Sequence, residues 1–313
     1  MIPILITLIL VTLAMSGYFH FKNSKTEFKN ILVVSFIPVQ NFIQDVSSQN
    51  NNSITVTGSS QNTNGPVVNG SSFDVSPQQK LRAEQLTSLF ENGKIEIKYS
   101  YIENLDDGRG YTAGRAGFTT ADGDLYQVVK LYTDSKPNNS LSKFLPKLKS
   151  LANEGSDSTL GLSGFKEAWI KSSQDSEFKK AQDKVVDTEY YQPAMKIAGG
   201  NDIKTALGKA IFYDSIIQHG GGNDPDSLSS MVRETITKAG GSPKTGVDEA
   251  KWLNTFIKVR RDTLLNATEE STRDVWKESV GRCDVFQQIL NSGNLDLKGP
   301  IKIKTSEYDT TIP

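Results

Sequence analysis

One cysteine and two histidines are all that this chain of 313 residues has of the side chains that make disulfides and soft metal sites. The lone Cys283 excludes an intrachain disulfide, so the fold must hold by its core alone. It falls on the apolar stripe of a helical pattern and reads as a packed thiol rather than a nucleophile. His20 and His219 stand far apart, with no second metal-ligand cluster beside either, so neither a metal nor an organic cofactor is implied. Charge of one sign is also lacking. The 35 Lys and Arg against 36 Asp and Glu leave a formal net charge of −1, which is not the basic balance of a nucleic-acid binder. The glycine run after His219 lacks the Lys-Ser/Thr of a phosphate loop and reads as structural.

Long apolar runs are equally scarce. One spans Ile2 to Ala14, and small residues at Ala14 and Ser16 suit a signal peptidase. No Lys or Arg precedes that run, whereas Lys22, Lys25 and Lys29 follow it, so an uncleaved membrane anchor is the alternative. A second patch, Ile31 to Ile43, is too short to span well. From Ser47 to Phe73 the chain is rich in Ser, Asn, Gln, Thr and Gly. Three segments result: a signal peptide or anchor over 1–21, a low-complexity linker over 22–75, and a folded region over 76–313. The last is long enough to bury a sizeable core.

Two carboxyl groups dominate what that region does contain. A helix is expected from Gln78 through Phe90, with Leu81, Leu86, Leu89 and Phe90 on one face and Asn92-Gly93 as its stop. Glu91 would sit at the negative end of the helix dipole, which raises a carboxyl pKa and suits a general acid. The alternation Ile95, Ile97, Tyr99, Tyr101 predicts a strand, and Asn104 to Gly108 a turn. Asp107 lies on that turn, two residues before Arg109, whose positive charge favours an ionised carboxylate suited to a general base. A returning strand over 116–120 and a helix capped by Asp124, carrying Leu125, Val128, Val129 and Tyr132, complete the local order. Two carboxyls driven apart in this way can cut a glycosidic bond. The spacing by itself fits ordinary turn chemistry as well.

Arg82 to Asn92 and Asp106 to Thr120 resemble the family 46 glycoside hydrolases, the chitosanases. So do Ala181-Gln-Asp, Tyr190-Tyr-Gln-Pro-Ala194, Gln218-His-Gly, Asn223-Asp-Pro-Asp226, Ala239-Gly-Gly-Ser-Pro243 and Asn294 to Pro300. The likeness runs from about Ser76 to the C-terminus. It implies a mainly α (α+β), lysozyme-like fold of two lobes, with a small antiparallel sheet and a substrate cleft between the lobes. It implies endo-acting, inverting hydrolysis of chitosan, with Glu91 as acid, Asp107 as base, Arg109 beside it and Thr112 holding the attacking water. Asp124 matches an aspartate that binds substrate amino groups. Ala113 departs from the Cys or Gly of several relatives. A polysaccharide substrate makes secretion of a monomer the expectation, with membrane attachment only if the N-terminal segment is kept. Two other functions stay open: a hydrolase acting on acetylated chitin or peptidoglycan, and a catalytically silent chitosan-binding protein.

The C-terminal half adds an argument from periodicity. A helix is expected from about Asn201, with Ile203, Ala206, Leu207, Ala210 and Ile211 on one stripe that Asp214 continues. Another starts at Asp248 and carries Trp252, Leu253, Phe256 and Ile257, with Arg260 on the same stripe. A third carries Trp276, Val280 and Cys283, with Arg273 one turn earlier. A buried carboxylate needs a partner, so Asp214 is expected between Arg260 and Arg273, as a support of the cleft rather than a catalytic group. The resembled family has an Arg–Asp–Arg network at the matching positions.

Overall fold

The computed structural model describes residues 75–313. The apolar run, the second patch and almost all of the linker therefore lie outside the described residues. Among the described residues no helix is long and apolar enough to cross a membrane.

The first helix, α1 (Pro77–Asn92), starts at a capping box. Ser76 N–H donates to Gln79 Oε1 at 2.8 Å and Gln79 N–H to Ser76 Oγ at 3.3 Å. Gly93 ends the helix in the left-handed conformation that glycine adopts without a steric penalty. The buried apolar face is Ala83, Leu86, Leu89 and Phe90, whereas Leu81, expected on it, is 39% exposed.

Residues 95–101 do not form the expected strand. The carbonyls a ladder would use are taken by side chains. Ser88 Oγ donates to Glu96 O at 3.0 Å, and Trp169 Nε1 and Gln182 Nε2 donate to Tyr99 O at 3.1 and 3.0 Å. The sheet instead comprises β1 (Ile102–Asn104), β2 (Tyr111–Ala113) and β3 (Phe118–Thr119), antiparallel in that order. Its register pairs Ala113 with Ile102 and Phe118, all buried in the core. On the alternate face it pairs Thr112 with Glu103 and Thr119.

Helices follow: α2 (Asp124–Ser135), α3 (Leu145–Glu154), α4 (Phe165–Ser172) and α5 (Ser176–Val186). A π-turn at Asp187–Tyr191 leads into α6 (Gln192–Gly200). The C-terminal group is α7 (Ala206–His219), α8 (Leu228–Ala239), α9 (Glu249–Leu265), α10 (Glu270–Lys277) and α11 (Gly281–Asn291), closed by the hairpin β4 (Ile301–Lys304) and β5 (Asp309–Ile312). By packing partners the helices fall into two groups: α2 with α3 and α5 beside the sheet, and α7 with α1, α6, α8 and α11. Every residue of α7 is buried, so this helix is the axis of the second group. It begins at its cap Thr205, and Ile203 packs from the preceding loop rather than from the helix.

The pattern at 273–283 is two helices, not one. The N–H groups of Glu278, Ser279, Val280, Arg282 and Cys283 each reach back three residues rather than four. Three residues per turn change the phase of every side chain beyond the break.

Gly114 follows β2 at φ +72°, where a Cβ would meet Gln182 Oε1 at 2.5 Å and the Phe118 ring at 2.9 Å. Gly114→Ala is expected to cost roughly 2–4 kcal/mol, from left-handed strain plus overpacking. Urea unfolding measures this, and an unchanged midpoint would refute it.

Candidate active site

Helix α1 carries a polar stripe, Glu84, Thr87, Ser88 and Glu91, on the side away from its core face. That stripe lines a cleft of about 930 Å³, a volume that includes the part open to solvent. Thr112 from β2, Arg115 from the turn after it, Tyr101, Tyr190 and Tyr213 complete much of the wall. Glu91 and Thr112 thus face one cavity.

Glu91 is largely buried, with its side chain 15% exposed, and Oε1 accepts from Arg282 Nη2 at 3.0 Å. Its pKa is raised above the ordinary 4.5. Burial is the main cause, Arg282 opposes it, and Asp214 adds to it. The direction is the one expected from the sequence, and desolvation is its largest cause. With Oε1 taken by the guanidinium, Oε2 is left to carry a transferable proton.

Asp107 lies on the turn between β1 and β2. Arg109 donates to it three times: backbone N–H to Oδ1 at 3.1 Å, Nε to Oδ2 at 3.0 Å, and Nη2 to Oδ2 at 2.5 Å. Both side chains are at least nine-tenths buried, so the pair is fixed in orientation. Tyr101 links this turn to the cleft wall. Its phenol is pushed up to about 12, by burial first and then by the Glu103 and Asp107 carboxylates. Thr112 is 1% exposed, and its Oγ1 has no hydrogen-bond partner in the protein.

Asp124 is the first residue of α2 rather than its cap, which is Gly123. Its Oδ1 accepts from Thr119 N–H at 2.7 Å and Leu125 N–H at 2.8 Å, which ties it to the strand beside Thr112. Burial pushes its pKa up to about 7, with the Asp122 carboxylate adding to the shift and the backbone N–H groups opposing it.

Asp214, from α7, has no exposed surface and pairs with Arg260 Nη2 at 2.7 Å. The second guanidinium is Arg282, at 3.4 and 3.5 Å, and not Arg273. Arg273 instead donates Nε–H to Ala267 O at 3.0 Å. The break before α11 is the physical reason, because it brings Arg282 round to α7. The missed signal was present in the sequence: Arg282 stands at i to Val285, Phe286 and Ile289, an α-helical stripe of its own. Arg260 also donates to Gln218 Oε1 at 2.8 Å and to His219 Nε2 at 3.3 Å. His219 is held neutral by burial and by the two arginines, which lower its pKa well below 6.5. It packs edge-on to Trp276 and belongs to this network.

A second buried group closes the other end of the stripe. Arg115 pairs with Glu84 at 3.2 Å and with Asp183 from α5, whose carboxylate also accepts from Tyr99 Oη at 2.8 Å. Among the described residues no group of three or more His, Cys, Asp or Glu side chains is placed to hold a metal ion.

The sequence profile of glycosyl hydrolase family 46 matches residues 85–301. A chitosanase of Bacillus subtilis (strain 168) is 56% identical over 234 residues, covering 75% of this chain and 84% of its own. A mutant chitosanase of Bacillus subtilis MY002, solved in complex with 6 GlcN, is 54% identical. It superposes with a TM-score of 0.66 over 77% of this chain and 100% of its own. The Gynuella sunshinyii family 46 chitosanase, solved with chitotetraose, is 44% identical, with a TM-score of 0.65 over 77% and 99%. The mainly helical, lysozyme-like fold of these proteins is the fold of this chain.

Two outcomes follow from this geometry. Asp214→Ala leaves the buried Arg260 guanidinium without a carboxylate and Arg282 with Glu91 alone, and should cost roughly 3–5 kcal/mol. Arg273→Ala, which loses one hydrogen bond to a carbonyl, should cost under about 1.5 kcal/mol. Equal losses in urea unfolding would return Arg273 to the network. Asp124 has a folded pKa of about 7 against an ordinary 3.8, so the folded state holds its proton more tightly than the unfolded chain does. Its contribution to stability is present below about 3.8 and is lost as pH rises through about 7. Asp124→Asn keeps an acceptor for both N–H groups and removes that loss. Its Tm relative to wild type should therefore climb between acid and mildly alkaline pH, and a difference that stays constant would contradict the assignment.

Proposed function

The chain belongs to glycosyl hydrolase family 46, and from that premise we propose that it is an endo-acting chitosanase that cuts β-1,4 bonds between glucosamine units with inversion. The observation that carries this reading is Glu91. It is a buried carboxyl of raised pKa, gripped through one oxygen, on the wall of a cleft also lined by Thr112, whose buried hydroxyl has no partner in the protein.

Glu91 then gives its proton to the glycosidic oxygen as the bond to the anomeric carbon breaks. Asp107, oriented by Arg109, takes a proton from a water held by Thr112, and that water attacks the opposite face of the sugar. The proton lost by Glu91 is regained from solvent, and that gained by Asp107 is released to it. Asp124 receives a substrate amino group. Its raised pKa lets a sugar ammonium supply the charge that keeps the carboxylate ionised on binding. Neither step requires a cofactor. Export belongs to the same proposal, since chitosan lies outside the cell or in its wall and Ile2–Ala14 offers a signal sequence.

Fully deacetylated chitosan should lose viscosity quickly and yield short oligomers, with the α-anomer formed first in the proton NMR spectrum. A β-anomer formed first would exclude inversion. Glu91→Gln and Asp107→Asn should each lose about two to four orders of magnitude in kcat. Wild-type turnover by either variant would remove that residue from its role.

A further inference from the structure

The four residues of the α1 stripe, at i, i+3, i+4 and i+7, share one face of the helix and all line the cleft. Three of them have a partner within the protein. Glu84 pairs with Arg115, Ser88 Oγ donates to Glu96 O, and Glu91 pairs with Arg282. Thr87 is the exception. It is 6% exposed, and its Oγ1 has no hydrogen-bond partner in the protein. The common refuge of a threonine inside a helix, the carbonyl four residues earlier, is not used. A buried hydroxyl left unpaired is destabilising, and native structures pair the large majority of such groups with protein, ordered water or a ligand. Thr112 Oγ1 is the other unpartnered buried hydroxyl on this wall among the described residues, and the reaction already gives it a water.

We propose that Thr87 is a substrate-binding residue, whose hydroxyl hydrogen-bonds the glucosamine unit adjoining the cleaved bond. The inference rests on the chitosanase reading and adds a contact to it. Thr87 lies four residues before Glu91, about 6 Å along the helix axis. It therefore meets a neighbouring sugar unit and not the glycosidic oxygen. A group that contacts substrate equally in the ground and transition states changes KM and leaves kcat nearly alone.

Thr87→Val removes the hydroxyl and keeps the shape, while Thr87→Ser keeps the hydroxyl. With a glucosamine hexamer as substrate, Thr87→Val should raise KM roughly tenfold with kcat within about twofold, and Thr87→Ser should restore most of the loss. The Tm of ligand-free Thr87→Val should equal or exceed that of wild type, because an unpaired buried hydroxyl has gone. Its rise in Tm on adding hexamer should shrink. An unchanged KM, or a lower ligand-free Tm with unchanged kinetics, would mean a structural hydroxyl or one that binds only water, and would overturn the proposal. Wild type that neither cleaves nor binds the hexamer would instead overturn the chitosanase reading on which it stands.

Discussion

A single carboxylate with no exposed surface, Asp214, sits on a helix with no exposed residue. A charge in that position is tolerated only if guanidinium groups surround it, and they have to be delivered by other helices. Arg260 comes from α9 and Arg282 from α11, so the electrostatic demand of α7 fixes where both helices pack. Arg282 then spends its remaining Nη2 on Glu91. The group that neutralises Asp214 in the core also orients the Glu91 carboxyl in the cleft and opposes the burial that raises its pKa.

Helix α1 is held at both ends of its polar stripe. Arg282 grips Glu91, and two turns away Arg115 grips Glu84 while reaching Asp183 on α5. Both arginines are almost fully buried, so neither pair is weakened by solvent as a surface ion pair would be. The stripe is thereby fixed between the two helix groups. Its side chains line one cleft with Thr112 of β2, and the Asp107 turn before that strand is shaped by Arg109 and by the sheet register that pairs Thr112 with Glu103 and Thr119.

Periodicity located several elements well. The capped α1, the buried face of α2 and the Asp248 start of α9 all follow from local patterns, because caps and apolar stripes are short-range properties. Alternation misled at 95–101. Those residues alternate as a strand would, yet Ser88, Trp169 and Gln182 compete for the carbonyls from distant positions, which no local window contains. The same limit explains Arg273. A helix assumed continuous through 277–281 carries the wrong residue to Asp214, and only the three-residue reach of the backbone bonds there corrects the phase.

Residue type and near-neighbour spacing were enough for the helical class, the Asp107–Arg109 pair and the demand that Asp214 find arginine, whereas the two candidate carboxyls stood out from ordinary turn chemistry only through the likeness of their segments to family 46. Tertiary structure decided which arginine answers, that burial is the largest cause of the raised pKa of Glu91, and that Thr87 is left without a partner. These depend on which surfaces are excluded from water and which distant atoms arrive there, and desolvation and pairing are properties of the packed chain.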